Sequence, residues 1–285
     1  MNTQTQLIPE PLRAVEIVGC DGPTAQSMGD AMQCFGVLLM HTHPFINLEH
    51  IERVVVGLNY PLAVQRYRAQ AEVFSSDFMQ LADAAEGLAF ATEHGAIVLV
   101  KGDTLLGTLT EIQSTVAACS RTVVHELCHG HDLGQMHRWL WKAATNPAPL
   151  DEAKVYWLCH TLWAEYFANR YSYFCAPALT DEWTRLGLLL DRLPGAEPSF
   201  AAKQIAMTFG YALGSLAAEG AKLEDLRPDI VQRLRARSLW AAWLEASTVT
   251  ERLAQTGECW EHEAGMLQLK TAARLIVNTC RYGLR

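Results

Sequence analysis

The sequence predicts a predominantly helical α+β protein, in which a small, antiparallel-containing sheet comes first and a helical half follows. Three observations carry this prediction. β-Branched runs bounded by turn residues occur only before Lys101. A segment with apolar residues every three or four positions follows them. Beyond the Pro-containing connection TNPAPL (145–150) every segment has helical character.

Taken in order, the first ten or so residues read as a frayed tail and 23–40 as a helix, with a turn at HTHPF (41–45). In IERVVVGLNY (51–60), the run Val54 to Val56 marks a strand, and a polar, helix-compatible stretch follows it. GLAFAT (87–92) and AIVLVK (96–101), separated by Glu93-His94-Gly95, form a predicted hairpin. From about Leu109 to His131 the pattern is helical, and Ile112, Val116, Cys119, Val123 and Leu127 are expected to form one buried face. A long helix over 151–176 is stopped by Pro177. Further helices are expected near 181–193, 198–219, 223–254 (broken) and 260–281. No repeat or low-complexity segment interrupts this order. The expectation is one unit over 1–285, subdivided into a sheet-plus-motif-helix half (11–145) and a helical half (146–285).

Composition narrows the function. The chain has 285 residues, 50% hydrophobic and 19% charged, with mean hydropathy +0.03, which suits a globule with a large core and excludes disorder as its main state. A net charge of -8 argues against nucleic-acid binding, which needs a basic footprint. Arg227, Arg233, Arg235 and Arg237 are a local exception, read as a solvated helix face. None of the eight cysteines forms a C-x-x-C pair, which suits reduced thiols. MNTQTQLIPEPLR lacks a basic segment followed by an apolar one, and no apolar run approaches spanning length, so a cytoplasmic location away from membranes is expected.

The stretch VVHELCHGHD (123–132) carries the chemistry. His125 and His129 are one helical turn apart on one side, where two imidazole nitrogens can hold one Zn2+, and Glu126 is offset towards a water on that ion. With ten His and twenty Glu in the chain, random order would give roughly 0.02 such H-E-x-x-H matches, so coincidence is a poor account of it. Cys128 is read as a small buried hydrophobe, His131 as a polar residue of a turn, and Asp132 either as a partner of a ligand imidazole or as a helix C-terminal residue. His41 and His43 lack a carboxylate or cysteine at ligand spacing and are not expected to bind metal. Trp260-Glu261-His262-Glu263 lacks a second histidine and is read as a polar helix turn.

A catalytic zinc needs a third protein ligand. The metzincin continuation fails, because Asp132 and Gln135 stand where it needs glycine and histidine. A carboxylate on a later helix is left, and LWAEYFANRY (162–171) supplies Glu165. His160, five residues earlier, is turned about 140° away on the same helix and so would not serve one site together with Glu165. Asn169, at i+4 from Glu165, is expected to hydrogen-bond a ligand side chain, and Ala168 to allow close helix approach. Trp163, Tyr166, Phe167 and Phe174 are expected to pack an interface.

His125-Glu126-x-x-His129 followed by Glu165-x-x-Ala168-Asn169 resembles the gluzincin branch of the zinc metallopeptidases, over roughly 95–171. The resemblance implies a zincin-like fold, zinc held by His125, His129 and Glu165, and Glu126 moving a proton from a zinc-bound water to the leaving amine of a peptide or protein substrate. It also implies an edge strand, expected at Ala96 to Val100, that pairs with extended substrate. Transition-state donors stay open among His160, Tyr166, Arg170 and Tyr173. The alternative is a non-catalytic or latent zincin-fold protein that binds or regulates, with a regulatory protein partner.

Overall fold

The computed structural model describes residues 10–74, 85–177 and 182–282; the tail expected over the first residues lies outside them. The chain divides into two compact units, Met1–Ala144 and Thr145–Arg285.

In the first unit, strands β1 (Val15–Val18), β2 (Ile51–Gly57), β3 (Gly87–Ala91) and β4 (Ala96–Lys101) form one sheet in the order β1-β2-β4-β3. β1, β2 and β4 run parallel, while β3 pairs antiparallel with β4, so the predicted hairpin is present inside a mixed sheet. Val54, Val55 and Val56 on β2 and Val98, Leu99 and Val100 on β4 are wholly buried. Such unbroken apolar runs suit strands covered on both faces. Helix α1 (Gly22–Thr42) connects β1 to β2. Helices α2 (Tyr60–Arg66) and α3 (Arg68–Phe74) cover one face, where Tyr60, Ala63, Val64 and Ala71 pack with Val55, Phe90, Ile97 and Leu99.

After the short α4 (Gly102–Gly107), the motif helix α5 (Gln113–Thr145) lies on the other face. Its approach is close: a Cβ on Gly130 would come within 2.6 Å of both Ile51 Cδ1 and Val98 Cγ2. The helix starts later and runs further than the periodicity predicts. Ile112 precedes it and is 62% exposed, which corrects its place on the buried face; that face is complete only from Val123, with Val116 and Cys119 half-buried. β1 was not foreseen, because four residues at a sheet edge, mostly half-buried, show no burial period. The expected edge strand at Ala96 to Val100 is also corrected. β4 is paired on both sides, and β3 is a terminal strand among the described residues.

The second unit is helical throughout its described residues. Helix α6 (Leu150–Ser172), ended by a 3-10 turn at Tyr173–Cys175, packs on α8 (Pro198–Glu219), with α7 (Glu182–Arg192) beside α8. Gly210 and Gly214 allow this contact: Cβ atoms there would meet Leu162 O at 2.8 Å and Tyr166 O at 2.5 Å. The expected helix over 223–254 is broken into α9 (Leu223–Leu226), α10 (Pro228–Ala236) and α11 (Trp240–Thr256), with Pro228 starting α10. The last stretch comprises α12 (Glu258–Glu261), α13 (Glu263–Met266) and α14 (Lys270–Tyr282). His262 is extended between α12 and α13, so the second histidine motif is a helix break and not a helix turn. Trp163 and Phe167 pack on Trp260, and Phe209 on Trp243, in this core. Phe174, expected at an interface, is 37% exposed. Among the described residues no helix is long and apolar enough to cross a membrane.

Candidate metal centre

Helix α5 presents His125 and His129 one turn apart, with their Nε2 atoms 3.0 Å from each other and their rings edge-on at 4.6 Å between centroids. At zinc–nitrogen bonds of about 2.0–2.1 Å, two ligand nitrogens around a tetrahedral ion stand about 3.3 Å apart, so this pair is close to ligating geometry. His125, His129 and Glu165 each offer one ligand atom, and these atoms all lie within 4.8 Å of one another. The group can hold a metal ion. Among the described residues no other set of three His, Cys, Asp or Glu side chains meets this condition, so His41 and His43 stay outside any such group.

Glu126 is buried against the sheet edge. Its place is set by Gly87, the first residue of β3, where a Cβ would lie 2.5 Å from Glu126 Cγ and 2.8 Å from Cδ. Tyr60, which the sequence did not single out, belongs to the same environment. Its hydroxyl is buried with no hydrogen-bond partner among the described residues. Burial raises its pKa, and the charges of Glu126 and Glu86 raise it further. The signal available in the sequence was slight: an aromatic residue just after a strand.

Several expected roles change. His131 is not in a turn: it is fully buried within α5, and its Nδ1 lies 2.7 Å from the carbonyl oxygen of Asn47. Burial holds its pKa down at about 4. Asp132 is likewise fully buried, and because α5 continues to Thr145 it cannot be a C-terminal residue. Cys128 is a buried small residue, as expected. Asn169 Nδ2 donates to the Tyr211 carbonyl at 2.5 Å and to Ser215 Oγ at 2.7 Å, which fastens α6 to α8.

The candidate transition-state donors are similarly engaged. Tyr166 donates to Glu251 at 2.9 Å, and Arg170 is paired with the same carboxylate at 2.8 Å. Tyr173 donates to the Pro177 carbonyl at 2.7 Å and also contacts Glu219. His160 is buried with its ring edge-on to Trp157. Of the arginine group, Arg227 pairs with Asp229, Arg233 with Asp191, and Arg235 lies over Trp240. All eight cysteines are free thiols.

Comparisons with protein-family models, with curated proteins and with solved structures find no match for this chain.

Proposed function

We propose that the protein is a zinc-dependent metallopeptidase of the gluzincin type, with a zincin-like arrangement of sheet and motif helix. The observation that carries this reading is the convergence of one ring nitrogen each from His125 and His129 and a Glu165 carboxylate oxygen within 4.8 Å, with the buried carboxylate of Glu126 next in sequence to the first of them. Two imidazoles and one carboxylate match the donor set of catalytic zinc, and a structural site would have no use for Glu126. When bound, zinc would supply Lewis acidity, lowering the pKa of a water and polarising a carbonyl.

Glu126 is the general base in this reading. It accepts a proton from the attacking water and passes it to the leaving amine, and its packing against Gly87 holds the carboxylate in one orientation. β3, and not β4, is the strand that pairs with an extended peptide, because it is terminal among the described residues and begins beside Glu126. A peptide or protein substrate follows from that mode of binding.

The test has two parts. Protein prepared without added metal should contain about one zinc per chain, since one three-residue donor set is present. Glu126→Gln should keep that zinc and lose cleavage of a peptide library read by mass spectrometry. Glu165→Ala should weaken zinc binding by orders of magnitude and lower the melting temperature, while His160→Ala should leave zinc affinity unchanged. Normal zinc affinity in Glu165→Ala, or undiminished cleavage by Glu126→Gln, overturns the assignment.

A further inference from the structure

The second unit carries a charged groove that the metal centre does not use. It lies between the first turns of α6 and one face of α14 and has a volume of about 320 Å³. Lys270, Arg274 and Arg281 recur along α14 at spacings of four and seven, which puts all three on the same side of the helix. Lys154 lines the groove from α6.

These cations are only weakly compensated. Asp151 and Glu152 are the acidic residues of the lining. Arg281 pairs with Asp151 at 2.7 Å, but the aspartate side chain is 72% exposed, and exposed pairs of this kind contribute little and exchange partners readily. Lys154, Lys270 and Arg274 have no salt bridge among the described residues. Their field reaches into the core. Burial pushes the Cys159 thiol up to about 12, and Lys270 and Arg274 pull against that rise. In a chain of net charge -8 this is a local inversion of sign, which attracts anions that the rest of the surface repels.

The walls are not wholly polar. Val155 and Val277 lie among the charged side chains, and the Asn278 amide adds a donor. A groove of this size, with uncommitted ammonium and guanidinium groups and some apolar wall, suits a small ligand of multiple negative charge.

We infer that this groove binds a small molecule bearing two or more linked phosphates, with Lys154, Lys270 and Arg274 as its phosphate ligands. Both inorganic polyphosphate and a nucleoside polyphosphate have this chemistry. Calorimetric titration of the full chain with tripolyphosphate, ATP and GTP, in 150 mM salt on the order of physiological strength, separates the two sources. Tighter binding of a nucleotide than of tripolyphosphate identifies the nucleotide, with its ring on the valine walls; equal or tighter binding of tripolyphosphate identifies the inorganic ion. In either case Lys270→Ala/Arg274→Ala should weaken binding by about tenfold or more, because two charge-assisted contacts are lost. Lys270→Arg should retain affinity, and circular dichroism should show both variants folded. Absence of saturable binding by the parent, or equal affinity in the double variant, overturns the inference. The second result would place the phosphate elsewhere, for instance on a bound metal, and neither depends on peptidase activity.

Discussion

Gly87→Ala is the substitution that reports most directly on the candidate base. The added methyl would sit 2.5 Å from Glu126 Cγ, 2.8 Å from Cδ and 3.0 Å from the Leu99 carbonyl oxygen. Ordinary carbon contacts are about 3.5–4.0 Å, so one partner must move by about 1 Å. Glu126 is only 8% exposed and cannot simply swing into solvent, and the β3–β4 ladder restrains the backbone. Overpacking of this kind costs about 1–3 kcal/mol. If the carboxylate yields, the proposed function expects a misplacement of about 1 Å to lower peptide cleavage by roughly a hundredfold and to leave metal content at the parental level.

Denaturant unfolding followed by tryptophan fluorescence gives the stability, and a double-mutant cycle with Glu126→Ala isolates the contact. In the Glu126→Ala background both clashing side-chain atoms are gone, so Gly87→Ala should cost less there, by about 1 kcal/mol or more. A cycle that closes to zero would refute the claim that Glu126 is held against β3, whatever the substrate proves to be.

Two other outcomes follow from the first unit. Tyr60→Phe removes a buried hydroxyl that has no hydrogen-bond partner among the described residues, and should raise stability by about 1 kcal/mol in denaturant unfolding; a loss of that size would mean the hydroxyl is satisfied. Glu16 on β1 gives a pH signature. Burial alone would raise its pKa, but the Tyr67 hydroxyl at 2.6 Å and the Arg53 and Arg66 guanidinium groups at 2.9 and 2.8 Å hold it below the ordinary carboxylate value. Because the folded state binds this proton less readily than the unfolded state, its stabilising contribution is complete above pH 4.5 and is lost as pH falls below it. Glu16→Gln should therefore flatten the stability profile on the acid side and leave its slope near neutrality unchanged; parallel profiles for parent and variant would contradict this.

The sequence by itself determined whatever depends on near neighbours along the chain. The pairing of His125 with His129 follows from 3.6 residues per turn, and the hairpin and long helices follow from their own periods and from Gly and Pro punctuation. The broken character of 223–254 was legible for the same reason, since Pro228 cannot continue a helix from the preceding turn. Tertiary structure decided what depends on contacts between distant segments. β4 became an inner strand because β2, some forty residues earlier in the chain, pairs with its far side, and no local pattern encodes a ladder partner.

The same reason applies to single residues. That Asn169 Nδ2 bonds Tyr211 and Ser215 on α8 is not encoded by its near neighbours in the chain. His131 reads as a turn residue and one reading of Asp132 is a helix C-terminal residue, yet both are buried inside a helix that outlasts its apolar signal. Gly87 was legible only as the first residue of a strand. That its missing side chain leaves room for Glu126 is a fact about two segments folded together, because steric fit belongs to the packed state and not to either sequence alone.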